Sequence, residues 1–208
     1  MRNQTMPAAP RDAGAAGTGV PASRGGACAV LERPETGANP RPQGREENDR
    51  PRRVCFVCTG NTCRSPMAAA VANALAAAPA GLPEEARGAP VLEAFSAGLA
   101  AAEGEPIAPN AVLALEAAGV PAVPGRDYHR HTAHTLCVEE AERYDLLLAV
   151  SRRHALELLL RFPHLAGRID TLGEDVSDPF GGSPEDYRRC LEQLARLVRA
   201  RLFPEAGA

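Results

Sequence analysis

One short stretch of the sequence has the residue types and spacing for covalent chemistry on a phosphate: Cys58-Thr59-Gly60-Asn61-Thr62-Cys63-Arg64-Ser65-Pro66. It leaves a short apolar run, residues 54–58, and enters an Ala-rich helical run, residues 66–78, that Pro79 stops. Strand-to-helix turns of this kind are where open α/β sheets hold ligands. Ser65 is suited to cap the helix and Pro66 to be its first residue. Gly60 and Asn61 tolerate positive φ, so successive backbone N–H groups can curl inward into an anion nest. The helix dipole points at the same spot, and Arg64 adds a planar fork that matches two phosphate oxygens. A cysteine at the mouth of such a nest is stabilised as thiolate, the nucleophilic form. Cys58, the cradle and Arg64 together are equipped for attack on phosphorus.

A leaving group with a high pKa needs a proton, and a second segment offers one: Ser177-Asp178-Pro179-Phe180-Gly181-Gly182. Pro179 forces Asp178 towards an extended backbone, and the two glycines free the loop that follows. Asp178 held there could protonate the departing group and then activate water.

The cysteines admit other readings. Cys55-x-x-Cys58 could be a redox pair, or half a zinc site joined by Cys63. A redox pair belongs at a helix start, whereas Cys55 lies inside the strand on the opposite face from Cys58. Cys137 and Cys190 stand alone, with no Cys or His partner at zinc spacing, so no metal is expected. Cys63 has two readings: packing, or a reversible disulfide that shields Cys58 from over-oxidation.

These loops need a sheet to hold them. Residues 54–208 alternate β-like and helical patterns, the signature of a parallel α/β sheet. Strands are expected over 54–58, 91–96, 146–150 and 169–172. Helices are expected over 66–78, 109–118 (closed by Gly119), 136–144, 152–162 and 184–202. Four strands and about five helices leave room for one core.

The 208 residues are 45% hydrophobic and 24% charged, ordinary globular values. There are 40 Ala, no Trp and no Lys, so the core is built from small aliphatic residues and every basic side chain is Arg. Residues 1–53 hold seven Pro, seven Gly and nine Arg, with a single apolar patch over 27–31 and a lone Cys28. Such a segment reads as a disordered tail. Asp12 and the scarcity of Ser count against a transit peptide. The remainder is acidic and lacks Arg–aromatic clusters, so no nucleic-acid partner is expected. No apolar stretch nears the roughly 20 residues that span a bilayer, so no membrane partner is expected. With no signal-type leader, the expected setting is reduced and cytoplasmic, and the expected state a monomer.

Together the two loops resemble the low-molecular-weight protein-tyrosine-phosphatase family, over about 150 residues from Val54 to Phe203. Ser96-Ala97-Gly98 after the second strand matches too, as does His131, fourteen residues before Asp145. The resemblance implies a four-stranded parallel sheet flanked by helices, a Rossmann-like three-layer fold with no metal and no cofactor. It implies a phosphorylated protein as substrate and a phosphocysteine intermediate. Cys58 would be the nucleophile, Arg64 the transition-state clamp and Asp178 the general acid. Thr59, Gly60, Asn61, Thr62, Cys63, Arg64 and Ser65 would form the phosphate-binding loop. Ser65 would stabilise the thiolate, while Asn61, Ser96 and His131 brace the loop. His129, His134, His154 and His164 are given no role, and residues 128–134 are expected to be a solvated loop.

Thr62 and Phe180 would line the substrate cleft. Members acting on phosphotyrosine usually carry an aliphatic residue in place of Thr62. Thr there, with Asp178-Pro179-Phe180-Gly181-Gly182, looks like the bacterial protein-arginine-phosphatase branch. Phosphotyrosine is the alternative substrate. Leu99-Ala100-Ala101 lacks the aromatic wall that relatives often carry. Arsenate reductase would need two further relay cysteines, and Cys137 and Cys190 lie 53 positions apart. A non-catalytic phosphate-binding protein should have lost Cys58, Arg64 or Asp178.

Overall fold

The computed structural model describes residues 50–77 and 92–204. Most of the expected tail (with Cys28 and the 27–31 patch), the helix stop at Pro79 and the strand start at Val91 lie outside the described residues. Four strands, β1 (Arg52–Cys58), β2 (Leu92–Gly98), β3 (Leu146–Ala149) and β4 (Ile169–Thr171), alternate with five helices. The helices are α1 (Arg64–Ala77), α2 (Pro109–Ala117), α3 (Val138–Ala141), α4 (Arg152–Arg161) and α5 (Pro184–Leu202). The sheet is parallel throughout, in the order β2-β1-β3-β4.

Period-two alternation sorts the central strands between two cores. Val54, Phe56 and Cys58, with Leu146 and Leu148, join α1, α2 and α5 on one face. Cys55, Val57, Leu147 and Ala149 pack with Leu136, Tyr144 and Leu158 on the other. Cys55 is thus walled off from Cys58, and burial pushes its thiol pKa well up. That inert environment is the opposite of what a redox pair requires. The first ten residues of α1, Arg64 to Asn73, are all buried. A helix with so little polar face has to sit inside the protein.

Several boundaries differ from the sequence reading, each for a tertiary reason. Arg52 and Arg53, read as tail, belong to β1. The backbone N–H of Arg53 donates to Asp145 Oδ2 at 2.8 Å, and its guanidinium lies 4.8 Å from the Phe95 ring centre. The helix expected over 136–144 shrinks to α3, because Leu136 N–H donates to Gly98 O at 2.9 Å and keeps the chain extended there. Residues 128–134 are not a solvated loop. They start as a 3₁₀ turn with Tyr128 buried, and Ala133 packs inside. The helix before residue 119 closes as expected, with Gly119 at φ 67°. No helix among the described residues is long and apolar enough to cross a membrane.

Candidate active site

The C-terminal ends of β1 and β3, the two central strands, meet where the strand order reverses, the usual ligand crevice of a parallel sheet. Cys58 ends β1 and is 2% exposed. Its Sγ accepts the Asn61 N–H at 3.3 Å and lies 3.0 Å from Ser65 Oγ. Helix α1 begins at Arg64, so Ser65 is inside it and not its cap. Its hydroxyl turns instead to Cys58 Sγ and to Ala97 O, 3.3 Å away. Pro66 remains harmless there, because the first-turn N–H groups have no intrahelical partner to lose.

Among the described residues Asn61 is the one non-glycine with positive φ, 55°. Gly60, expected to share that role, is not in the left-handed region and has room for a Cβ. Five hydrogen bonds pin Asn61. Its N–H is given to Cys58, its Nδ2 donates to Ser65 Oγ and Ser96 Oγ at 3.0 Å each, and its Oδ1 accepts from His134 N–H at 3.1 Å. Its carbonyl accepts from His131 Nε2 at 2.7 Å. Burial lowers the pKa of His131, which favours the neutral ring with Nε2 as its donor. This frame holds the loop around Cys58, with the Asn61 N–H turned in towards the sulfur.

Arg64 is 6% exposed. Its Nη1 donates to Val176 O at 3.4 Å and its Nη2 to Asp178 Oδ2 at 2.5 Å. Its Nε is the one buried side-chain nitrogen or oxygen without a hydrogen-bond partner among the described residues. Nε is thus the part of the guanidinium that the protein itself leaves unmatched. Asp178 Oδ1 also accepts from Phe180 N–H at 3.2 Å, closing the turn. Behind that loop, Ser183 and Asp186 form a capping box at the start of α5. A Cβ on Gly182 would meet Asp186 Oδ2 at 2.9 Å and Pro179 O at 3.0 Å, so a side chain there would crowd the carboxylate of the capping box. Phe180 is 76% exposed at the mouth.

The structure therefore brings Cys58, the 59–65 loop, Arg64, Asp178, Ser96 and His131 to one place. Thr62 is half-buried in the loop, with its carbonyl accepting the Ala108 N–H at 2.8 Å. Cys63 faces α5, its Sγ 3.3 Å from the Tyr187 hydroxyl. Cys190 packs under the acid loop, and burial pushes its thiol up to about 12. Among the described residues no group of three His, Cys, Asp or Glu side chains could hold a metal.

Sequence reasoning missed three participants. His134 supplies Asn61 with a backbone donor, while its ring meets Glu140 at 3.0 Å, a contact that raises its pKa. His154 reaches Thr59 with its ring. Gly98 pairs with Cys58 across the sheet, and a Cβ there would stand 2.7 Å from Thr59 O and 3.2 Å from Asn61 Cβ. For Gly98 a signal existed, since the Ser-Ala-Gly match ends on it. Gly98→Ala is expected to destabilise the fold by about 1–3 kcal/mol through overpacking. It should also cut kcat/KM by about 10²-fold by displacing the loop. Denaturant unfolding and steady-state kinetics check both, and unchanged kinetics would show that the loop tolerates the methyl.

Comparison with known proteins bears on this arrangement. The family model described as low molecular weight phosphotyrosine protein phosphatase matches residues 53–205. The protein-arginine-phosphatase of Geobacillus stearothermophilus is 34% identical over 155 residues, 71% of this chain and 92% of the relative. The crystal structure of a low molecular weight protein tyrosine phosphatase from T. tengcongensis aligns with a TM-score of 0.61 at 36% identity, covering 71% of this chain and 95% of that one. A cysteine-to-serine mutant of YwlE arginine phosphatase, with a phosphorylated active site serine, aligns with a TM-score of 0.59 at 32% identity, covering 71% and 91%.

Proposed function

The chain belongs to the low molecular weight phosphotyrosine protein phosphatase family, and from that premise we propose that it removes phosphate from arginine side chains of proteins through a phosphocysteine intermediate. Cys58 Sγ attacks phosphorus, the P–N bond breaks, and Asp178 gives its proton to the departing guanidine nitrogen. Water then attacks the phosphorus of the S–P bond and passes a proton to the Asp178 carboxylate. The S–P bond breaks, and inorganic phosphate leaves with the thiolate restored. Arg64 and the inward N–H groups carry the charge on the equatorial oxygens. Asn61, Ser96 and His131 keep that cradle in shape before substrate arrives. The phosphorylated serine of the YwlE mutant supports covalent transfer onto the nucleophile position. These steps need neither metal nor cofactor.

Thr62 carries the choice of arginine. It sits in the loop four residues after Cys58, half-buried, where it would border the scissile bond of a phosphate held there. Burying the polar N–H groups of a phosphoguanidine against an aliphatic side chain would leave donors unpaired, at about 1–3 kcal/mol. The Thr hydroxyl accepts such a donor or holds a water. Phosphotyrosine is the second reading, favoured by the exposed Phe180 ring, which could stack on a phenyl group. Phosphoarginine peptides are expected to give the higher kcat/KM by about 10–200-fold, the scale of one pocket contact. Thr62→Ile should lower that activity and raise turnover of phosphotyrosine peptides. A wild type that prefers phosphotyrosine would overturn the arginine reading.

A further inference from the structure

A chain of three side chains behind the cradle has no part in the steps above. Ser151 follows β3 and caps α4, its Oγ accepting the His154 backbone N–H at 3.4 Å. The same Oγ lies 2.6 Å from His154 Nδ1. The other ring nitrogen, Nε2, lies 2.8 Å from Thr59 Oγ1. His154 is 6% exposed, while Thr59, the residue after the nucleophile, is exposed at the mouth of the loop. Burial and then the Arg64 guanidinium lower the imidazole pKa, so the ring is neutral at neutral pH. Arg153 adds to that effect, and Glu157 and Asp178 oppose it.

A neutral imidazole carries one N–H, so one ring nitrogen donates and the other accepts. Ser151 is buried, its Oγ accepts the His154 backbone N–H, and among the described residues Nδ1 is the one acceptor within reach of its own proton. Nε2 then carries the ring hydrogen and donates to Thr59 Oγ1. Thr59 keeps its single hydroxyl proton for a ligand. In the opposite tautomer Nε2 would take that proton, and Thr59 would turn a lone pair towards an anion in the cradle.

We propose that Ser151 fixes His154 in the Nε2–H form and that His154, as a positioning residue, thereby makes the Thr59 hydroxyl a donor to the bound phosphoryl group. This rests on the reading of residues 58–65 as the phosphate cradle. The test has two arms on the full chain, imidazole ¹⁵N spectra and competitive inhibition by inorganic phosphate at one fixed pH. His154, assigned by the resonance lost in His154→Gln, should show the Nε2–H pattern. Ser151→Ala should lose that pattern, and Thr59→Val should weaken phosphate about tenfold, the scale of one hydrogen bond to a charged group. Combining Ser151→Ala with Thr59→Val should weaken phosphate no further than Thr59→Val alone. His154→Gln, whose amide can still donate to Thr59, should stay within about threefold of wild type. An Nδ1–H pattern in the wild type, or a Thr59→Val inhibition constant equal to wild type, overturns the proposal. Both readouts stand even if Ser151→Ala fails to fold. Absence of phosphate inhibition in the wild type would overturn the cradle reading itself, whereas normal inhibition with an Nδ1–H spectrum overturns the tautomer alone.

Discussion

Cys58→Ser is expected to abolish turnover, by on the order of 10⁴–10⁶-fold, the scale on which loss of a covalent nucleophile acts. Phosphate and vanadate should still bind. The reason lies in how the site is divided. In the proposed mechanism the sulfur contributes the nucleophile, but the cradle is made by the Asn61 frame, the start of α1 and the Arg64 fork. A serine hydroxyl is smaller and is not ionised at neutral pH. It can accept the Asn61 N–H and meet Ser65 as the sulfur does, so the frame has no cause to collapse. Steady-state assays with para-nitrophenyl phosphate, paired with calorimetric titration of vanadate, separate the two contributions. Activity near wild type would remove the cysteine mechanism. Loss of vanadate binding would place the cradle's organisation on the sulfur.

Asp178→Asn should lower kcat by about 10²–10⁴-fold on substrates with poor leaving groups, the usual range for general acid catalysis. Aryl phosphates with activated leaving groups should lose much less, because they depart without a proton. Asp178 is half exposed at the mouth of the crevice and is tethered at both oxygens, to Arg64 and to Phe180 N–H. Asn keeps the acceptor for Phe180 and the shape of the turn, so the variant removes the transferable proton without unmaking the loop. It also removes the carboxylate from Arg64, which frees the fork and should tighten phosphate binding. A Brønsted series of aryl phosphates measures the effect as a steeper dependence on leaving-group pKa. Equal losses across the series would reduce Asp178 to a turn residue.

The sequence alone determined the parts of this protein that depend on near neighbours. The alternation of strands and helices follows from hydrophobic period, which each segment carries in its own residues. The 58–66 loop was legible as one unit because its asparagine, arginine and proline act within nine positions of one another. Asp178 was legible through the proline and glycines around it. Tertiary structure decided which distant groups complete the site. Of five histidines, the ring contacts of His131 and His154 and the backbone of His134 reach the loop, from 70 to 95 positions away. No local pattern marks them, because parallel register, not sequence proximity, puts the ends of β1, β2 and β3 side by side. The same register decides that Gly98 must lack a side chain opposite Thr59. It also decides the task of the Ser65 hydroxyl. Read locally, Ser65 is a helix cap, but in the folded chain its hydroxyl lies 3.0 Å from the buried Cys58 thiol and donates to Ala97 O at 3.3 Å. A charged or ionisable partner in a dry crevice outweighs a solvent-exposed capping bond, and only the folded chain brings that partner within reach.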